Sequence, residues 1–329
     1  MKRSKNLILP IADPDNLRLA FWKAGKGKRN APNVRVYQRM LEENLYKLRQ
    51  EILSGEVQVG RYKTFVIYEP KERKICASAF REQVLHHAIM NVCHNYFESK
   101  HIYDSYASRK GKGSHSAIDR ARMFTRKYSF YLKLDVKKFF ASVHHDVIRD
   151  QLARMFKDYR LLEIFHQIID SYEDSLKRGV PIGNLTSQYL ANHYLVGLDH
   201  FIKEKLRVKA YVRYMDDMVL WADEKKKLRE ALQVIERYVQ EELLCELKPI
   251  QLNKTIQGLP FLGFRIYPYH MRLTQQSKQR FIRKFCKLNS KYHSGEWDEA
   301  TCQSRILPLI AFIDQGDSRG FKQALLQKV

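Results

Sequence analysis

Tyr211–Asp223 reads YVRYMDDMVLWAD. Both halves are rich in β-branched, aromatic and large apolar residues, the composition of strands. Two adjacent aspartates, Asp216 and Asp217, sit between them. The stretch predicts a tight β-hairpin with the acids at or beside its turn. Two carboxylates this close repel, so at neutral pH one takes up a proton or both face a cation. Hard divalent cations such as Mg²⁺ suit such a place, taking a few carboxylates together with substrate phosphates. Aspartate is also a common turn former, and a lone acidic pair between strands would read as that. Here the tetrapeptide is Tyr-Met-Asp-Asp, and the rest of the chain bears on it.

At 329 residues the chain is long enough for a real core and two or three subdomains. Its apolar content of 44% is ordinary, but its formal charge of +23 is not. The cations run from Lys2 to Lys328 rather than crowding one tail. Such a field favours polyanions, above all nucleic acid. Lysine placed only for solubility would leave the signs nearer balance. No amphipathic basic anchor or lipidation signal points to a membrane surface. There is no signal peptide and no apolar run long enough to span a bilayer. The five cysteines are odd in number, far apart and without metal-ligand spacing. They read as reduced, buried thiols of a cytoplasmic protein.

Tyr-Met-Asp-Asp on a hairpin resembles motif C of reverse transcriptases, and further blocks of that family follow in order. Tyr131–His145 reads YLKLDVKKFFASVHH, an apolar strand ending at Asp135. It resembles motif A, an acid with an aromatic five positions later, here Phe140. The resemblance implies a metal set of Asp135, Val136, Asp216 and Asp217, with Phe140 packed under the nucleotide sugar. Phe139 reads as ordinary core. Residues 179–188 read GVPIGNLTSQ. Gly183 precedes a long amphipathic helix with Leu190, Tyr194, Leu198 and Phe201 on one face, and Asn184, Thr186 and Ser187 are placed to cap it. This resembles motif B. Most of the family has a glutamine before that glycine and a proline after the serine. Ile182 and Gln188 stand there instead, which resembles the reverse transcriptases of diversity-generating retroelements.

The remaining blocks are basic. Arg61–Tyr68 predicts a strand, and 70–73 a turn into a second strand over Lys74–Ala77. It resembles the fingers, where Lys71 and Arg73 would grip the incoming triphosphate. Residues 105–117, SYASRKGKGSHSA, place Arg109, Lys110 and Lys112 among small residues, with Ser114 as a helix cap. That block resembles the template contact before motif A. Residues 252–266, LNKTIQGLPFLGFRI, resemble motifs D and E. They imply Lys254 as proton donor to pyrophosphate and Leu262-Gly263 as the primer grip. Arg280, Arg283 and Lys287 lie in a basic helical pattern that resembles a small thumb.

Elsewhere, Asp13-Pro14 opens a helix, and Tyr37, Leu41, Leu45, Leu48 and Ile52 mark one helix face closed by Gly55. The pair His86-His87 invites a metal reading, but adjacent helical residues point apart.

The resemblance covers about residues 61–270 closely and implies an α+β, right-hand polymerase fold. Its parts would be a basic helical extension (1–60), fingers and palm with an antiparallel sheet (61–269) and a helical thumb (270–329). No RNase H, endonuclease or maturase segment is expected. The implied function is RNA-directed DNA synthesis on a template-repeat RNA, with frequent errors opposite adenine, for mutagenic retrohoming. Two Mg²⁺ ions, with Mn²⁺ as substitute, would serve Asp135, Asp216 and Asp217. Nucleotide contacts would come from Lys71, Arg73, Phe140, Ile182, Gly183 and Tyr214. Template and primer contacts would come from Arg109, Lys110, Lys112, Ser187, Gln188, Leu262, Gly263, Arg280, Arg283 and Lys287. Implied partners are deoxynucleoside triphosphates, a structured RNA, the cDNA/RNA duplex and a small basic accessory protein (accessory variability determinant). The setting would be the cytoplasm, for a bacterial, archaeal or phage-encoded protein. Alternatives are a group II intron-like, retron or phage-defence reverse transcriptase, or a non-catalytic RNA-binding protein on the same fold.

Overall fold

The structure is a computed structural model, and it describes residues 4–68 and 72–326. Four helices open it: α1 (Ile8–Ile11), α2 (Pro14–Gly25), α3 (Pro32–Arg39) and α4 (Leu41–Ser54). The Asp13 carboxylate accepts from the N–H groups of Asp15 and Asn16, and Pro14 is the first helical residue of α2. The single helix predicted across Tyr37–Ile52 is two. Met40 leaves helical geometry at φ −119°, ψ 42°. The Tyr37 carbonyl beside that break accepts from Asn44 Nδ2 at 3.0 Å. Tyr37, Leu45, Leu48 and Ile52 are still buried together, so the apolar face survives the break. Gly55, at φ 85°, closes α4.

The strands β1 (Tyr62–Tyr68) and β2 (Glu72–Ser78) form a two-stranded antiparallel ribbon. The second strand begins earlier than predicted, so Arg73 lies within it, opposite Ile67. Helix α5 (Phe80–Glu98) buries Phe80, Val84, Leu85, Ala88, Ile89 and Phe97 in the core. Helix α6 (Ser114–Lys127) has Gly113 at its cap position and no side-chain cap, so Ser114 is its first residue rather than its cap. There follow β3 (Phe130–Asp135), the one-turn α7 (Phe139–Ser142), α8 (His145–Met155) and α9 (Tyr159–Asp170).

The long helix predicted after Gly183 is segmented into α10 (Leu185–Tyr194), α11 (Val196–His200) and a π-helical turn, Phe201–Lys205. Its apolar positions Leu190, Tyr194 and Leu198 are buried as predicted. Gly197 admits a close neighbour, since a Cβ there would stand 2.7 Å from the Tyr238 hydroxyl oxygen. The hairpin β4 (Ala210–Tyr214) and β5 (Asp217–Ala222) comes next, then α12 (Lys225–Glu241) and β6 (Gln251–Lys254). The strands β7 (Leu259–Phe261), β8 (Phe264–Ile266) and β9 (Met271–Leu273) make a three-stranded sheet. Helices α13 (Gln275–His293), α14 (Glu299–Ile313) and α15 (Arg319–Leu326) complete the described chain.

The central sheet is antiparallel in the order β4-β5-β3-β6. Side chains alternate faces along a strand, and both faces here are covered. Leu132, Leu134, Met218, Leu220 and Tyr211 point into the larger core, built with α5, α8–α10 and α12. Tyr131, Val212, Val219 and Trp221 point into a second core with α6 and β7–β9. Trp221 is 2% exposed and donates to Thr125 Oγ1 at 3.1 Å. Its truncation to alanine would cost about 3–5 kcal/mol. The same alternation places Lys133, Asp135 and Asp217 on the second face, at the end of the sheet where the hairpin turns. Four of the cysteines are buried, while Cys286 is exposed on α13, unlike the expectation for all five.

Candidate active site

Tyr214 pairs with Asp217, so the hairpin loop is the two residues Met215 and Asp216. Two-residue hairpins take turns with positive φ that match strand twist, and Met215 lies at φ 56°. The neighbouring strand brings the third acid by register, because Asp135 is the direct partner of Asp217. Burial first, then the facing charge of Asp135, pushes the Asp216 carboxyl up to about 7. Burial pushes Asp217 up to about 6, against the pull of Lys133.

Two lysines meet these acids. Lys133 Nζ lies 3.0 Å from Asp217 Oδ2 and also donates to the Pro260 carbonyl at 2.8 Å. Lys248 Nζ lies 2.6 Å from Asp135 Oδ1. Asp217 Oδ1 is buried with no hydrogen-bond partner. Among the described residues no three His, Cys, Asp or Glu side chains already stand at mutual ligating distances. With Asp135 and Asp217 paired to lysines, the acids are arranged for ion pairs rather than for a metal. The donor set nevertheless fits a hard divalent cation: all donors are carboxylate oxygens, one is buried and unpaired, and the acids repel.

The segments expected around a nucleotide are tied to one another. Val136 is fully buried directly after Asp135 and bridges to Leu247. Phe139 is buried core, while Phe140 beside it is half-buried, with ring centroids 5.9 Å apart. The Phe140 carbonyl accepts from Val180 N–H at 2.8 Å, tying α7 to the segment before Ile182. Ile182 is half-buried and its carbonyl accepts from Cys76 N–H at 2.8 Å. Gly183, at φ 126°, presses on the fingers ribbon: a Cβ there would stand 3.0 Å from the Cys76 carbonyl oxygen. The glycine thus serves the approach of β2, a reason the sequence did not suggest. Ser187 is buried and Gln188 exposed. The expected cap on α10 is absent; the polar side-chain atoms of Asn184 and Thr186 are buried with no partner within hydrogen-bonding distance. Tyr214 packs half-buried against the second core. Arg73 is exposed on β2, and Lys71 lies outside the described residues.

Other predicted residues sit elsewhere. Lys254 is exposed and pairs with Phe130, five residues from Asp135 at the far end of β3. That is about 16 Å at 3.3 Å per residue. Because β6 runs antiparallel to β3, the chain before β6, not β6 itself, reaches the acids, and Lys248 is the lysine found there. Arg109 is not a surface residue. Its Nε and Nη2 donate to Glu98 Oε1 at 2.9 and 2.7 Å, and Nη1 donates to the Ile102 and Ser105 carbonyls. It staples the loop instead of reaching a template. Lys112 lies 3.5 Å over the Tyr103 ring, and Lys110 is exposed. The Leu262-Gly263 turn is seated on the thumb, the Gly263 carbonyl accepting from Thr274 N–H and Ser277 Oγ. On α13, Arg283 and Lys287 are exposed and Arg280 is half-buried.

An antiparallel palm with one acid on a central strand and two on the adjoining hairpin defines the right-hand polymerase class. Residues 69–266 match the family described as Reverse transcriptase (RNA-dependent DNA polymerase), and the chain belongs to that family. It is 22% identical over 217 residues to the putative COX1/OXI3 intron 1 protein of Saccharomyces cerevisiae, covering 62% of this chain and 26% of that protein. It is 23% identical over 283 residues to protein YkfC of Escherichia coli, covering 71% of this chain and 74% of that protein. Apo telomerase from Candida tropicalis superposes with a TM-score of 0.53 at 13% identity, over 84% of this chain and 61% of that one. That likeness is one of fold. The chain spans about a quarter of the yeast relative's length and about three fifths of the telomerase chain.

Proposed function

We propose that the chain is the RNA-directed DNA polymerase of a diversity-generating retroelement. The observation that carries the polymerase reading is the register pair Asp135–Asp217 with Asp216 in the adjoining turn. Attack of a primer 3′-hydroxyl on the α-phosphate of a deoxynucleoside triphosphate asks the protein mainly for alignment and charge. Mg²⁺ held by Asp135, Asp216 and Asp217, with the Val136 carbonyl beside them, would stabilise the entering and leaving oxygens. Asp135 and Asp216, whose charges oppose each other, would hold the ions, with Asp217 supporting them. Lys248, 2.6 Å from Asp135, would serve as proton donor to the leaving pyrophosphate, the role expected of Lys254. Arg73 and Lys71 would meet the triphosphate from the fingers ribbon. Phe140 would pack against the sugar, and Ile182 and Gly183 against the nucleotide. Arg283 and Lys287 would follow the duplex backbone by charge rather than sequence.

The retroelement assignment is supported by the sequence around Ile182, Gly183 and Gln188, and it brings the accessory protein and structured RNA as partners. The group II intron-like reading is supported equally by the yeast intron relative. Among the described residues no helix is long and apolar enough to cross a membrane. One experiment tests both levels: extend a primer on a defined RNA with Mg²⁺ and sequence the cDNA. No product sinks the polymerase. Product accurate at adenine, with accessory protein and RNA supplied, sinks the retroelement and favours the intron-like reading.

A further inference from the structure

Beneath the Met215-Asp216 turn lies a buried charge network that the chemistry above does not use. Arg213 and Asp199 are both 0% exposed. The Asp199 carboxylate accepts from Arg213 Nε at 2.8 and 2.9 Å, from Nη2 at 2.6 Å, and from the Tyr211 hydroxyl at 2.8 Å. Arg213 Nη1 donates to Asn192 Oδ1 at 2.7 Å and to the Met215 carbonyl at 3.0 Å. Nη2 also reaches the Asn192 carbonyl at 3.3 Å. Asn192 Nδ2 in turn donates to the Ala107 carbonyl at 2.8 Å.

Stability alone is a weak reason for such a pair. Taking two charges out of water is expensive, and a packed apolar pair often serves a fold as well. The Met215 carbonyl supplies a better reason. Met215 occupies left-handed geometry at φ 56°, which a side chain disfavours. Its carbonyl belongs to the peptide that bears the Asp216 N–H, so fixing that oxygen fixes the plane from which Asp216 departs. A planar guanidinium held by a carboxylate at one edge is a rigid donor for this purpose.

We propose that Arg213, oriented by Asp199 and Asn192, is a positioning residue that holds the Met215-Asp216 turn and so sets Asp216 against Asp135. The inference rests on the polymerase reading of those acids. Through Asn192 the same network joins α10, which begins at the motif B segment. Through the Ala107 carbonyl it joins the loop before α6. Three segments around the site thereby share one anchor.

The test is the double variant Arg213→Met, Asp199→Leu, which removes both charges together and leaves neither stranded. Three properties are compared with wild type: thermal melting, Mn²⁺ affinity by electron paramagnetic resonance on a primer–template complex, and kcat and KM for one nucleotide addition. The expected result is a folded protein whose melting temperature drops only by the cost of the stranded Tyr211 hydroxyl and Asn192 amide oxygen, weaker Mn²⁺ binding and little change in KM. kcat should fall about a hundredfold, as a displacement near 1 Å would cause. A folded double variant with wild-type Mn²⁺ affinity and kcat overturns the proposal. If the double variant does not fold, Arg213→Lys carries the same two readings, since it keeps the charge against Asp199 and loses the planar fork. A wild type that binds Mn²⁺ yet copies nothing overturns the polymerase reading instead, and the Mn²⁺ comparison still decides the network.

Discussion

Lys248 is joined to Asp135 twice: its Nζ lies 2.6 Å from Asp135 Oδ1, and its backbone N–H donates to the Asp135 carbonyl at 2.8 Å. The backbone bond fixes where the side chain starts, so the ammonium belongs to the site by construction. On the proposed polymerase reading, cations and substrate that claim Asp135 would free that ammonium to act as a proton donor. Lys248→Ala should lower kcat for single-nucleotide addition by about a hundredfold, the ordinary worth of a positioned proton donor. Lys254→Ala should leave kcat close to wild type. Rapid-quench kinetics on both variants decides, and a large loss for Lys254→Ala alone would reverse the assignment.

Asp135→Asn and Asp216→Asn should each reduce synthesis by about 10²–10³-fold or more, the cost of removing one preorganised charge partner. Neither should unfold the protein, because each relieves repulsion between adjacent half-buried carboxyls, and the Lys248 pair that Asp135→Asn weakens is about a third exposed. Primer extension beside circular dichroism measures both. Near-normal synthesis by a folded variant removes that residue from the metal set.

Glu82 gives a pH prediction away from the catalytic end. It is 2% exposed at the start of α5, its Oε2 accepting from Gly60 N–H at 3.1 Å and its Oε1 lying 3.5 Å from His86 Nε2 without a hydrogen bond. Burial pushes its carboxyl from 4.5 up to about 7, while burial holds neighbouring His86 down near 3 and therefore uncharged. An acid whose folded pKa is raised favours the folded state fully only below its unfolded pKa. Glu82's own contribution to stability should fall as pH rises from 4.5 to about 7 and then level off, opposite in sign to that of His86, which adds stability as pH rises from about 3 to 6.5. Glu82→Gln should flatten that slope and raise the melting temperature at pH 8. Melting curves of both proteins across this range are the measurement, and parallel curves would refute the burial argument.

Much of this was readable before any coordinates. Tyr211–Asp223 announces a hairpin because strand composition flanks two turn formers, and Asp135 announces its strand because Leu132 and Leu134 alternate before it. Partners of isolated charges were not readable. Lys133, Lys248 and Arg213 look like any other cations in a chain of +23, and only pairing register and chain reversal bring them to acids. Motif spacing alone points to Lys254, whereas the direction of β6 brings Lys248 to Asp135. A related cause acts at Arg109: a basic, glycine-rich loop reads as phosphate-seeking, whereas Glu98 on α5 turns the guanidinium inward.

Phe140 stands half-exposed in front of buried Phe139, with its backbone bonded to Val180. If its ring blocks the place of a 2′-hydroxyl, Phe140→Ala should raise ribonucleotide over deoxynucleotide incorporation by about tenfold or more. Phe139→Ala should instead lower stability. Competition between the two nucleotide types reads the first effect and melting reads the second. An unchanged ratio places the gate elsewhere.

Ile182 bears on fidelity. Its carbonyl is committed to Cys76 N–H at 2.8 Å, so the backbone here is fixed and only the half-buried side chain is free to meet a nucleotide. A polymerase discriminates by the difference in transition-state free energy between right and wrong substrates. Glutamine at this place would offer a hydrogen bond that holds a correct pair in register, whereas isoleucine offers contact area alone. A hydrogen bond is worth about 0.5–1.5 kcal/mol net, and about 1.4 kcal/mol is tenfold in rate. One side chain can therefore shift error by several-fold but does not create adenine-specific error unaided. Ile182→Gln should reduce misincorporation opposite template adenine by a few-fold to about tenfold, with synthesis retained. Because the Cys76 bond uses only backbone, the substitution should leave melting unchanged, so a change in error would not trace to a loosened fingers ribbon. Deep sequencing of cDNA made by both proteins on one RNA is the measurement. Identical error spectra would remove Ile182 from the fidelity argument.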